Sequence, residues 1–265
     1  MDHGLFDCIG LPLRDWDAVT GFVREHWDEL RGYSTPNGWF NAIWRDPSGA
    51  EVVVNVNDRG EVEAVPGFAG DPAASLTNII PVEGTESMAA YVVDDQGTEI
   101  TRLCADFGQW RFLAKVSQEE TFEAVITGLA REVSIYANQN AFDASPEADM
   151  GPLSRPQTLP NGTVMDRLRF GPESFIPAGM FQNPWNPMAT FSGTVERSWT
   201  KCVEATGTSF HVAKATTVGV LGVYLCWPTE LAPPAEPGNT VYTKAYLTTM
   251  VPEIWRRQQQ ASGGT

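Results

Sequence analysis

Apolar positions alternate with polar ones over most of this chain and recur at helical spacing in two places. Trp16, Val19, Val23, Trp27 and Leu30 make one apolar face behind Asp15, a residue suited to capping a helix. Phe122, Val125, Ile126, Leu129, Val133 and Tyr136 make a second stripe. It follows Ser117-Gln118-Glu119-Glu120, which matches a capping box, and the spacing predicts the clearest helix of the chain there. Elsewhere the period is two. Residues 5–13 read as a short strand ending at Pro12. Further strands are predicted over 39–44, 50–56, 61–65, 76–82, 88–94, 98–105 and 110–116, with turns at Asp46-Pro47-Ser48-Gly49 and Asp95-Gln96-Gly97.

From Ser145 to Met188 the pattern breaks among eight prolines. Phe175, Ile176, Met180, Phe181 and Trp185 are too apolar for a free linker, so a packed connection with these five side chains buried is expected. Strands then return over 189–199, 208–216, 218–227 and 240–247, and the end of the chain is polar. No internal repeat is visible. These signals predict an α+β protein in which an acidic α+β unit packs against a small antiparallel β barrel. The expected divisions are an acidic domain over 1–145, a proline-rich connection over 146–187, a barrel over 188–252 and a fraying tail over 253–265.

Charge sharpens that division. The first 145 residues hold 24 Asp or Glu against 9 Arg or Lys, which accounts for the whole net charge of −15. Residues 146–265 hold 9 of each. Such a field repels phosphate and anionic headgroups, so neither nucleic acid nor membrane is expected as a partner. No apolar run approaches the ~18 residues needed to cross a bilayer, and no secretory signal is recognised, so a cytoplasmic protein is expected. Cys8, Cys104, Cys202 and Cys226 are scattered and read as buried thiols, with a Cys202–Cys226 bridge left open.

Candidate chemistry is sparse. No phosphate-binding loop, dinucleotide fingerprint or nucleophile elbow occurs, and no cofactor is expected. Only His3, His26 and His211 are available as imidazole ligands. Glu61 and Glu63, with Asp58, offer hard oxygen ligands on one strand. A Cys-His nucleophile pair such as Cys202 and His211 requires the two to be neighbours in space. Trp199, Tyr224 and other aromatics of the last third suit base stacking, although that region supplies only Arg197, Lys201, Lys214 and Lys244 as cations.

Two resemblances arise from these residues. The order of elements over 5–65, with W-R-D-P-S-G-A-E at 44–51, resembles one module of the vicinal-oxygen-chelate (glyoxalase-like) superfamily. That resemblance implies a divalent metal held by a His on the first strand and a Glu on the last. Here His3 precedes the first strand, and Glu61 and Glu63 are the carboxylates offered. Residues 170–250, with E-S-F-I-P-A-G-M-F at 173–181, F-S-G-T-V-E at 191–196, T-G-x-x-F at 206–210 and P-G-N-T-V at 237–241, are similar to the C-terminal part of an uncharacterised group of bacterial proteins, a part associated with an OB-like barrel.

The expectation is a non-enzymatic binding protein whose acidic domain engages a basic protein partner. A glyoxalase-like metal-dependent enzyme or small-molecule binder, and an oligonucleotide-binding barrel, are the alternatives.

Overall fold

The computed structural model describes residues 4–35, 38–150, 156–165, 168–219 and 221–262. Helix α1 (Trp16–Glu25) covers only the first part of its expected stripe, with Trp27 in a following 3-10 turn, Leu30 beyond it and Trp16 and Trp27 exposed; Asp15 accepts a hydrogen bond from the Ala18 N–H at 2.8 Å. The strand expected over 5–13 is instead a 3-10 turn at Phe6–Ile9. Gly10, at φ 75°, ends that turn, and the Leu11 N–H bonds back to the Phe6 carbonyl, so no extended backbone is left to pair.

Strands β1 (Arg31–Ser34), β2 (Trp39–Arg45), β3 (Ala50–Asn57) and β4 (Val62–Phe68) form a four-stranded antiparallel meander. Next come β5 (Ala74–Pro81), β6 (Met88–Val93), β7 (Glu99–Phe107), the short helix α2 (Trp110–Leu113) and β8 (Phe122–Tyr136). A strand was expected over 110–116. Helix α2 forms there because the buried Gln109 side chain bonds both the N–H and the carbonyl of Val251, while its own carbonyl accepts from Phe112 and Leu113. After α3 (Gln139–Asp143) and the two-residue strands β9 (Gln157–Thr158) and β10 (Val164–Met165) come β11 (Ser174–Ile176), β12 (Met188–Cys202), β13 (Ser209–Thr216), β14 (Gly222–Pro228), β15 (Thr240–Met250) and α4 (Pro252–Ser262).

The largest correction concerns 122–136, which is a strand and not a helix. Phe122, Ala124, Ile126 and Ala130 point into one core, and Val125 and Leu129 into a second. A register shift opposite Lys244 and Ala245 skips position 131 in the ladder, so inward positions change phase to Val133 and Ile135. Burial on both faces plus one bulge imitates a helical repeat. The capping-box residues do bond one another, Ser117 N–H to Glu120 and Glu119 N–H to Ser117 Oγ at 3.3 Å each, but they close a turn into the strand.

Nine strands form one sheet in the order β11-β12-β13-β14-β8-β15-β7-β6-β5, with β12 also paired to β15 and β8 to β5. Those two extra pairings close two rings. One ring is β12-β13-β14-β8-β15; the other is β5-β6-β7-β15-β8. Strands β8 and β15 belong to both. In each ring one pairing is parallel: β14 with β8, and β7 with β15. The protein is mostly β, 46% strand against 17% helix, and its main sheet crosses the charge boundary. The expected α+β class, with an acidic α+β unit beside a separate antiparallel barrel, is therefore overturned. The barrel that was expected within 188–252 closes only with β8 from the other half.

Two cores result. The first runs through both rings and includes Leu76, Leu103, Phe122, Phe191, Leu225 and Trp227, all fully buried. The second lies between the outer face of the β12 ring and the meander with α1, where Ile9, Leu11, Val52, Phe210 and Val212 are fully buried. Each such side chain contributes about 1.5–3 kcal/mol. The segment before β12 does not sit between two units. It runs along the ring as the edge strand β11, where Phe175 stacks on Phe191 at 6.0 Å. Ile176 and Met180 are half-buried, while Phe181 (79%) and Trp185 (38%) are exposed, against expectation. The tail forms α4, pinned by buried Ile254 and by Arg257, which pairs with Glu253 and Glu120.

Candidate functional site

A cleft of about 780 Å³ opens between the meander and the outer face of the β12 ring. The meander wall comes from one strand face: Arg31 and Tyr33 on β1, Ile43 and Arg45 on β2, and Glu51 on β3. Register explains the grouping, since Arg31 lies opposite Ile43 and Arg45 opposite Glu51. The ring wall carries Arg197, Trp199 and Lys201 at alternate positions of β12, so all three share one face. Lys214 lies opposite Arg197, and Tyr224 opposite Lys214, which sets these three in one row across the sheet. The loop 69–72 and the start of α4, with Pro252 and Trp255, complete the lining. Gly70 brings that loop close: a Cβ there would lie 2.3 Å from the Tyr224 ring. The Tyr224 hydroxyl in turn accepts from the Asp71 N–H at 3.0 Å.

Five cations and two carboxylates line this cleft in a protein of net charge −15. Arg45 is committed to Glu51, at 2.8 and 3.0 Å, and Lys214 pairs with Glu196 at 3.0 Å. Burial pushes the Glu51 carboxyl up to about 7 in spite of Arg45. Arg31 bonds the carbonyls of Asp28 and Leu30. Among the described residues, Arg197 and Lys201 have no carboxylate in ion-pair range; Lys201 Nζ sits 5.9 Å from the Trp199 ring centre. Aromatic pairs flank the cations, Tyr33 with Trp255 at 5.7 Å and Phe68 with Tyr224 at 5.4 Å. A cleft of this size and lining suits a small anionic ligand.

The residues singled out from sequence are not brought together. Glu61 is exposed and accepts from Asn57 in a turn. Glu63 pairs with Arg111, whose guanidinium lies between the Trp39 ring (3.4 Å) and the Trp110 ring (4.2 Å). Glu63 does border a smaller cavity of about 270 Å³ with Glu86, Asp106, Trp16 and Trp110. Burial raises the carboxyls of Glu86 and Asp106. No group of three His, Cys, Asp or Glu placed to hold a metal occurs among the described residues. Asp58 is exposed in the same turn as Glu61.

His3 lies outside the described residues. His26 bonds Glu29 at 3.0 Å and packs on Phe22 and Trp44. His211 is buried, which lowers its pKa, and its Nδ1 faces Thr200 Oγ1 at 2.9 Å rather than Cys202. All four cysteines are free, and Cys202 is exposed rather than buried. Strand β13 separates it from Cys226, so the two do not bridge. Burial lifts the Cys8 and Cys104 thiols to about 12, the reverse of what a nucleophile needs. Among the described residues no helix is long and apolar enough to cross a membrane.

Sequence reasoning named Arg197, Lys201, Lys214, Trp199 and Tyr224 but did not gather them into a site. The available signal was the alternation R-x-W-x-K at 197–201 on a strand. Arg31, Arg45 and Glu51 were missed, because nothing local says that the meander faces the ring. No protein-family model matches the chain, and no match is found among curated proteins or solved structures.

Proposed function

We propose that this is a binding protein whose cleft holds a small anionic ligand. The observation that carries the reading is the convergence of Arg31, Arg197 and Lys201, none of them in an ion pair among the described residues, on a cleft in an otherwise acidic protein. Cations gathered against the sign of the whole chain concentrate an anion locally and repel competing acidic surfaces. The barrel wall holds Arg197 and Lys201 on a rigid strand, so little ordering is needed when the ligand binds. Net charge alone pointed to a basic protein partner for the acidic half; the cleft supports a small anion instead.

Isothermal titration of the full chain with inorganic pyrophosphate tests this. Saturable binding is expected, weakening as salt rises. The double variant Arg197→Gln/Lys201→Gln is expected to lose at least tenfold in affinity, whereas Lys244→Gln, away from the cleft, keeps it. Absence of saturable binding, or equal loss in Lys244→Gln, overturns the reading.

A further inference from the structure

We infer that the ligand is an aromatic anion of nucleotide size, its acidic group held at Arg197 and Lys214 and its ring stacked on Trp199; this rests on the anion-binding reading above. The spacing of the ring wall motivates it. Arg197 and Lys214 are cross-strand neighbours, about 5 Å apart at Cα, so one phosphate or carboxylate reaches both once it displaces Glu196 from its 3.0 Å pair with Lys214. Lys201 is four residues further along β12, about 13 Å away, which is too far to share that group. Trp199 stands between them on the same face. The row therefore reads cation, ring, cation, and it matches a molecule with a flat apolar middle and charge at an end.

The opposite wall repeats the order. Arg31 and Tyr33 alternate on β1, and Tyr33 is backed by the Trp255 ring. A flat group entering the cleft thus meets an aromatic surface on each side. Volume points the same way. About 780 Å³ lies within the range of clefts that enclose drug-sized ligands, and a bare inorganic anion leaves most of it as water. The aromatic walls then gain nothing from the complex. Lys201 Nζ lies over the Trp199 ring at 5.9 Å, near the outer limit of cation–π reach, a contact weak enough for a stacked ring to displace.

The test compares AMP, adenosine, inorganic phosphate, inorganic pyrophosphate and an octathymidylate on the full chain, by titration calorimetry and by quenching of tryptophan fluorescence. AMP is expected to bind at least tenfold more tightly than either phosphate or adenosine. Trp199→Leu is expected to bring AMP down to the phosphate level, and Arg197→Gln to bring it down to the adenosine level. Thermal melting checks that each variant folds, and Tyr33→Leu gives the same loss of ring preference from the other wall if Trp199→Leu does not fold. If phosphate or pyrophosphate binds as tightly as AMP, the aromatic assignment is wrong while anion binding stands. If none of the anions binds, both readings fall. If the octathymidylate binds more than tenfold tighter than AMP, the cleft serves a nucleic-acid strand and this inference is overturned.

Discussion

The chain from Ala74 to Tyr136 and the chain from Met188 to Met250 are each 63 residues long and build the same thing. Each is a three-strand antiparallel meander followed by a long fourth strand. In each, the fourth strand returns to pair with the first, β8 with β5 and β15 with β12. The two fourth strands lie antiparallel along each other, and each fills the remaining place in the other's ring. Surface chemistry separates the two. The first four-strand unit holds 10 acidic and 4 basic residues, net −6; the second holds 4 of each and is neutral. The meander β1–β4 covers the outside of the second ring, and the cationic cleft lies where that cover stops. Equal topology thus carries unequal surfaces. The proposed binding face belongs to the unit whose strands present Arg197, Lys201 and Lys214 on a neutral background.

The strongest way to break this comparison is to ask whether the two rings stand apart. They share β8 and β15, and one core runs through both. Phe122→Ala and Phe191→Ala each remove a fully buried ring, one from each unit. Each is expected to cost about 3–5 kcal/mol. In urea, far-UV circular dichroism and tryptophan fluorescence should follow one coincident transition in both variants. Two separated transitions would show that the rings fold independently and that the shared strands couple them only weakly.

A smaller effect asks whether the cleft belongs to the second unit alone. Arg197→Gln is expected to weaken pyrophosphate binding about tenfold, or ~1.4 kcal/mol. Arg102→Gln, on β7 of the first unit, is expected to leave affinity within error. Equal losses would mean that the response is to net charge and not to a site.

The duplication was not legible in the sequence, and the reason is physical. The units match in strand order and length, but their turns, charges and bulges differ, so no repeat shows in the residues themselves. Most individual strands were legible: Asp46-Pro47-Ser48-Gly49 separates β2 from β3 and Asp95-Gln96-Gly97 separates β6 from β7, and such turns mark strand ends even where both faces are buried, as in β3 and β6. β8 was not. It is buried on both faces and shifts phase at Arg131, so period two disappears just where the strand matters most to the fold. Once β8 reads as a helix, neither ring can close, and a two-unit α+β protein is the natural expectation. The cleft was half legible. Arg197, Trp199 and Lys201 share a strand face that alternation predicts, while Arg31, Arg45 and Glu51 join them only through the packing of the meander on the ring.

Glu51 sharpens the comparison through pH. Its folded-state carboxyl titrates near 7, raised by burial from an ordinary value of 4.5. Between those values the folded protein keeps a proton that the unfolded chain has released. Stability should therefore fall as pH rises from about 4.5 to about 7, and level off on either side. The full span is on the order of 3 kcal/mol at most, from roughly 2.5 pH units at 1.36 kcal/mol each. Glu51→Gln is expected to remove this slope from the urea midpoint measured against pH. A slope unchanged in Glu51→Gln would move the pH sensitivity to the first unit, where Asp106 is raised by burial as well.

The smallest effect lies where the two units meet. Lys244 on β15 pairs with Glu132 on β8 at 2.8 Å, directly opposite in register and beside the bulge. The pair crosses the seam between the shared strands, so it could be mistaken for the clasp of the whole arrangement. Both side chains are about half exposed, 47% and 63%. Water screens their attraction, and ordering two long side chains offsets part of the gain. The seam is held instead by the backbone ladder and by buried neighbours such as Ala130, Val241 and Ala245. Lys244→Gln is accordingly expected to change stability by no more than about 0.5 kcal/mol, a difference that 0.5 M salt erases in the wild-type comparison. A loss above about 2 kcal/mol would place the coupling of the two rings in this ion pair and not in the strands they share.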